Sequence, residues 1–226
     1  MSEMIQRADG FWTLDSPLRV GGLPMGTRTS VVRLASGGLF LHSPSSLAGD
    51  ARQTIEALGE VAVIAAPNCF HHFFVQENVE AWPKASLFLA PGLRERQPKL
   101  PPGEVLGDEP PSALAQDFEQ HVVAGAPRMG EVVFFHPGSR TLLLTDLAFN
   151  MRQVDGSIAR FALKLMGGYG HFGPSRLARS FFKDRPALRL SLDRILAWDF
   201  DRIVVAHGEV VESGGRGLFE EAYRDF

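Results

Sequence analysis

The run Val61-Ala62-Val63-Ile64-Ala65-Ala66-Pro67-Asn68-Cys69-Phe70-His71-His72 decides how this sequence of 226 residues is read. Six apolar residues without polar alternation are the pattern of a strand buried on both faces. Pro67 ends the run, because proline offers no N–H to a ladder and restricts the residue before it. Two adjacent imidazoles follow at once. A buried strand that delivers metal-ligand residue types into a loop is how layered α/β proteins place sites at a sheet edge.

Two later runs stop in the same way. Leu142-Leu143-Leu144-Thr145-Asp146 is an apolar strand ending on a carboxylate, and Ile203-Val204-Val205-Ala206-His207-Gly208 is one ending on an imidazole, with a glycine to turn the chain. Between and before them the sequence alternates strands with helices. Thr27–Leu34 and Gly38–His42 predict a hairpin about Ala35-Ser36-Gly37. Helix signals cover 50–58, with Asp50 as a cap and Gly59 as a stop, then 74–82, and a start at 91–96 with Pro91 in the first turn. Ser86–Ala90, Phe118–Val123 and Glu131–Phe135 read as strands, and 157–166, 175–182 and 187–198 as helices. The proline-rich stretch 97–111 is too short to separate domains, since strand patterns resume directly after it.

Composition narrows the function classes. Twenty-three basic against 26 acidic residues give a net charge of −3, without the basic excess that a phosphate-backbone binder requires, so no nucleic-acid partner is expected. A lone cysteine, Cys69, excludes an internal disulfide. No apolar run reaches membrane-span length and the first ten residues have no signal-type apolar core, so the reading is a cytoplasmic protein with no membrane partner. A small-molecule substrate or ligand is the expected partner.

In this order of motifs the sequence resembles the metallo-β-lactamase superfamily, and within it a branch with degenerate metal motifs. The resemblance covers nearly the whole chain and implies an α/β (α+β) fold, a four-layer αββα sandwich. It implies a single domain over 1–226 with a helical, glycine-rich insertion around 151–186. Members carry His-x-His-x-Asp-His after the early strand. Here Pro67 and Cys69 stand where the first two histidines lie, His71 stands at the aspartate, and His72 matches the last histidine. Gly125-Ala126-Pro127 takes the place of the usual mid-chain histidine turn, and Ala126 cannot bind metal.

The family's first metal position would keep only Cys69, a possible additional ligand. The second would become His71, His72, Asp146 and His207, each a competent ligand type. The resemblance therefore implies one divalent metal, with zinc as the expectation and iron or manganese compatible with imidazole and carboxylate. Each residue also has a plainer use. An adjacent histidine pair can sit at a surface, Asp146 can cap a turn, His207 can bond a loop carbonyl, and Cys69 can be a small buried hydrophobe. The segment Gly168-Tyr169-Gly170-His171-Phe172-Gly173 fits a dinucleotide-binding pattern, but a helical run precedes it rather than a strand. It is read either as a mobile loop over a pocket or as a plain helix–helix connection. Two functions follow. One is a single-metal hydrolase of an ester, thioester, lactone or phosphoester, with Asp146 catalytic. The other is a metal-stabilised binding or scaffold protein without turnover, favoured by four protein ligands, because a filled tetrahedral shell is the mark of structural zinc.

Overall fold

Alternate residues from Val63 to Ala66 pack in two different cores, and this decides the architecture. In the computed structural model, which describes residues 4–226, Val63 and Ala65 join one buried cluster while Ile64 and Ala66 join another. A strand's side chains alternate between faces, so a strand without polar residues needs apolar cover on both.

The first half of the chain supplies a sheet of seven strands. These are β1 (Met4–Ala8), β2 (Phe11–Ser16), β5 (Thr27–Arg33), β6 (Leu39–His42), β7 (Val61–Ala66), β8 (Ser86–Leu89) and β9 (Glu104–Val105), in that spatial order. A small ribbon, β3 (Arg19–Val20) with β4 (Leu23–Pro24), stands apart from it. Three helices belong to this half: α1 (Asp50–Leu58), α2 (Val75–Ala81) and α3 (Leu93–Arg96). The second half supplies a four-stranded sheet of β10 (Glu119–Val122), β11 (Val132–His136), β12 (Thr141–Leu144) and β13 (Arg202–Val205). Its helices are α4 (Ser157–Leu165), α5 (Arg176–Phe181), α6 (Arg185–Leu196) and α7 (Gly215–Ala222).

Three clusters bind these layers. Phe40, Val63 and Phe88 of the first sheet meet Phe134, Leu143 and Val204 of the second. Ile55 of α1 and Val75 of α2 cover the outer face of the first sheet through Leu41 and Ile64. Leu188 and Leu192 of α6 and Phe219 of α7 cover the second through Leu142, Leu144 and Val205. The result is the αββα sandwich expected of the sequence. Each fully buried Leu, Ile or Phe contributes roughly 1.5–3 kcal/mol relative to exposure.

Several boundaries differ from the sequence reading. The sheet begins earlier, with β1 and β2, which pair antiparallel ahead of the β5–β6 hairpin. Asp50 opens α1 but does not cap it; Gly49 holds the cap position without a side-chain bond. Pro91 lies before α3, whose cap is Gly92 in the left-handed region. The glycine-rich segment is hydrogen-bonded rather than free: Gly170 N–H donates to Met151 O, and Phe149 and Gly173 bond each other's backbone in both directions. Among the described residues no helix is long and apolar enough to cross a membrane.

Candidate metal centre

Parallel pairing brings two of the site residues level. β12 and β13 run parallel with Leu144 opposite Val205, so Asp146 and His207 each lie two residues beyond the last pair of adjacent strands. β6 and β7 also run parallel, with His42 opposite Ala65, which sets Ser43 beside the loop that β7 feeds. His71 comes from that loop. The ring nitrogens of His71 and His207 and a carboxylate oxygen of Asp146 all lie within 4.8 Å of one another.

Both imidazoles turn the same edge inward. His71 Nε2 is 3.4 Å from Asp146 Oδ2, and His207 Nε2 is 3.6 Å from Asp146 Oδ1. The outer nitrogens are engaged elsewhere. His207 Nδ1 donates to the carbonyl of Gly26 at 2.7 Å, and His71 Nδ1 lies 2.6 Å from Ser43 Oγ. For His207 the carbonyl partner selects the tautomer that leaves Nε2 with a lone pair, the usual orientation device for metal-binding histidines, while the Ser43 hydroxyl can serve His71 Nδ1 as donor or acceptor. His207 therefore does bond a loop carbonyl, and it does so with the nitrogen that faces away from the cluster. Its ring is also stacked on Phe149 at 5.3 Å.

The charge states suit a cation. Burial pushes the His207 imidazole down to about 4, against the pull of Asp146, so it is neutral at pH 7. For Asp146 burial works upward, but the His71 and His207 imidazoles and the Asn68 amide outweigh it and hold the carboxyl at about 2. A neutral imidazole and an ionised carboxylate are the forms that ligate. The donor set and its outer hydrogen bonds thus fit one divalent ion at His71, Asp146 and His207.

His72 and Cys69, the other ligand candidates read from the sequence, are not in this three-residue group. His72 sits in the turn leading into α2, where its carbonyl accepts from Val75 N–H and its ring lies 4.7 Å from that of Phe73. Successive residues in such a turn point different ways, so only one of the pair reaches the cluster. Cys69 is buried, with Sγ 3.4 Å from the carbonyl of Pro91, and burial raises its thiol pKa. It behaves as a small hydrophobe. Ala126 is buried in the outer core of the second sheet.

Three polar residues escaped the sequence reading. Asn68 is fully buried. Its Nδ2 lies within hydrogen-bond distance of Asp146 Oδ2 (2.6 Å), Thr145 Oγ1 (2.9 Å) and Glu131 Oε2 (3.3 Å), while its Oδ1 accepts from the backbone N–H of Phe70 and His71. Glu131, also fully buried, accepts the backbone N–H groups of Thr145, Asp146 and Leu147, each at 2.8 Å. Burial and the nearby Asp146 carboxylate push its own carboxyl up to about 7, against the bonds from Thr145 and Asn68. Ser43, the third, has a non-glycine φ of 54° and holds His71. A signal for Glu131 existed in the sequence: it is the single charge heading the apolar strand Val132–Phe135.

The cluster opens into a cleft of about 250 Å³. Besides His71, Asp146 and His207 its walls are almost wholly apolar, formed by the β3–β4 ribbon, the loop after β7, and α4 with α5.

A sandwich of this topology with a His–Asp–His cluster where its strands end is the metallo-β-lactamase fold, and solved structures bear this out. A metallo-β-lactamase from Pontibacter korlensis aligns over 100% of both chains at TM-score 0.69 and 14% identity. The FIM-1 metallo-β-lactamase from Pseudomonas aeruginosa, in a mono-zinc form, aligns over 99% of this chain and 93% of its own at TM-score 0.65 and 14% identity. The Flv1 flavodiiron core from Synechocystis sp. PCC6803 aligns over 99% of this chain and 61% of its own at TM-score 0.67 and 10% identity. No curated protein matches the chain in sequence. Within that fold the chain belongs to the family described as a domain of unknown function, DUF4336, whose profile matches residues 8–166.

Proposed function

We propose that the chain is a single-metal hydrolase acting on an ester, thioester, lactone or phosphoester bond, with its ion held by His71, Asp146 and His207. The observation that carries this reading is the number of ligands. Four protein ligands would have closed a tetrahedral zinc shell, whereas three side chains are the complement of catalytic zinc, which keeps a position for water or substrate. An ion held there would acidify a water and polarise the bond under attack.

The chain's own groups supply the rest. Asn68 lies against Asp146 Oδ2, which orients the carboxylate so that Oδ1 faces His207, where it would hold the ion with the attacking water beside it. Ser43 and Gly26 keep the two imidazoles from rotating away. The apolar walls exclude bulk water and so strengthen every electrostatic interaction inside the cleft. Metallo-β-lactamases of known structure share the fold, and FIM-1 has been crystallised in a mono-zinc form; both are consistent with one ion sufficing here.

The test compares protein stripped by chelator with protein reloaded with zinc, iron or manganese on a panel of p-nitrophenyl esters, acyl thioesters, lactones and phosphoesters. Turnover that needs the metal and is lost in Asp146→Asn together with metal binding supports the proposal. Stoichiometric metal without turnover on any class would replace it with a metal-stabilised binding protein.

A further inference from the structure

The His71, Asp146 and His207 group faces an apolar cleft, and the chemistry of that cleft selects among the bond classes above. No lysine or arginine lines it. Apart from the site residues its polar side chains are Thr27 and Ser175, and Ser175 Oγ already accepts the N–H of Ala178 as the cap of α5. A phosphate or sugar-phosphate lying along these walls would lose its hydration and meet no cationic side chain, the ion proposed at His71, Asp146 and His207 being the one positive charge within reach. A hydrocarbon loses nothing.

The cleft also has a direction. Leu163 and Ala178 are 1% and 3% exposed, whereas Phe73 and Leu177 are 62% and 54% exposed and line the same space. Large exposed apolar side chains are ordinary when scattered and informative when they gather at one opening. Reactive polar groups beside walls that are apolar but for Thr27 and Ser175 match an amphiphile with a carbonyl head.

We propose that the cleft seats the apolar acyl chain of a carboxylic ester, thioester or lactone, its carbonyl toward His71, Asp146 and His207. This narrows the hydrolase reading, on which it rests, by removing the phosphoesters.

The probe is a homologous series of neutral 2-alkanones, which carry the acyl chain and carbonyl but no cleavable bond, titrated calorimetrically into metal-stripped protein. Affinity is expected to rise about fourfold per added methylene, the effect of burying one CH₂, and to level off once the cleft is full. Ala178→Trp, which fills the interior, should weaken the longer ketones by roughly tenfold or more, the equivalent of two methylenes denied burial. Leu177→Asp at the exposed rim gives a second variant where folding is not at stake, with a loss in the same direction. Affinity independent of chain length in the parent protein overturns the proposal. Because the probe needs no ion, a chain-length series that rises in protein unable to bind metal would leave the acyl cleft standing while the hydrolase reading fails, and the reverse pattern separates them the other way.

Discussion

The Asn68 amide nitrogen lies 2.6 Å from Asp146 Oδ2 across 78 positions of sequence, within hydrogen-bond reach. Through this one side chain the loop after β7, the end of β12 and the buried Glu131 form a single polar unit. The site is therefore built twice over: by three residues that can face an ion, and by partners that hold them.

Asn68→Ala removes a donor from Asp146 and an acceptor from two backbone N–H groups. An unsatisfied buried group costs about 1–3 kcal/mol, and losing an outer partner of a metal ligand typically costs roughly 10- to 100-fold in affinity. Both losses are expected, the first by denaturant unfolding and the second by competition with a chromophoric chelator. Asn68→Asp should fare worse than Ala, because it sets a third carboxylate against Asp146 and Glu131.

Glu131→Gln tests the carboxylate that accepts three consecutive backbone N–H groups. An amide offers one oxygen, and its NH₂ group would face donors. A loss of about 1–3 kcal/mol in unfolding free energy is expected, together with weaker metal binding, since the Thr145–Leu147 segment carries Asp146. A Glu131→Gln protein as stable as its parent would show that the three bonds do not hold the segment.

His42 gives the clearest pH dependence. It is buried among Phe40 and Phe134, its Nε2 has no hydrogen-bond partner, and burial followed by the nearby His71 pushes its imidazole down to about 3. The folded chain thus keeps it neutral where the unfolded chain, with a pKa near 6.5, takes up a proton. Its contribution is fully present above pH 6.5 and is lost as pH falls from there toward 3, at up to about 1.4 kcal/mol per unit. Urea unfolding at pH 7 and pH 5 should show a smaller drop in His42→Phe than in the parent, by about 2 kcal/mol. Equal drops would contradict the burial of a neutral ring.

Gly208→Ala should disturb the site from behind. Gly208 has a φ of +100°, and a Cβ there would lie 2.3 Å from the backbone carbon and oxygen of Asn150. That backbone bonds both neighbours of the glycine, through Asn150 N–H to His207 O and Glu209 N–H to Asn150 O. A destabilisation of about 2 kcal/mol or more is expected, with metal affinity reduced alongside.

Much of this was readable in advance, for reasons that also mark the limit. The runs at Val61–Ala66, Leu142–Leu144 and Ile203–Val205 announce strands because a doubly covered strand must be apolar throughout. The residues after them announce a site because a chain seldom leaves a buried strand for Asp or His without use. Pattern alone could not choose between His71 and His72, since which of two adjacent rings faces inward is set by the turn into α2. Nor could it assign partners to Asn68, 63 and 78 positions away at Glu131 and Asp146, or to Glu131, 14 to 16 positions away at Thr145–Leu147. The strands β1 and β2 escaped because the first is only partly buried and the second mixes polar with apolar residues on both faces.

The central claim is that His71, Asp146 and His207 hold one divalent ion and His72 does not. Elemental analysis of purified protein, beside His71→Ala, Asp146→Asn, His207→Ala and His72→Ala, tests it directly. The account predicts about one equivalent in the parent and in His72→Ala and almost none in the other three. A parent without metal after loading, or a His72→Ala protein that loses its ion while His71→Ala retains it, would contradict it.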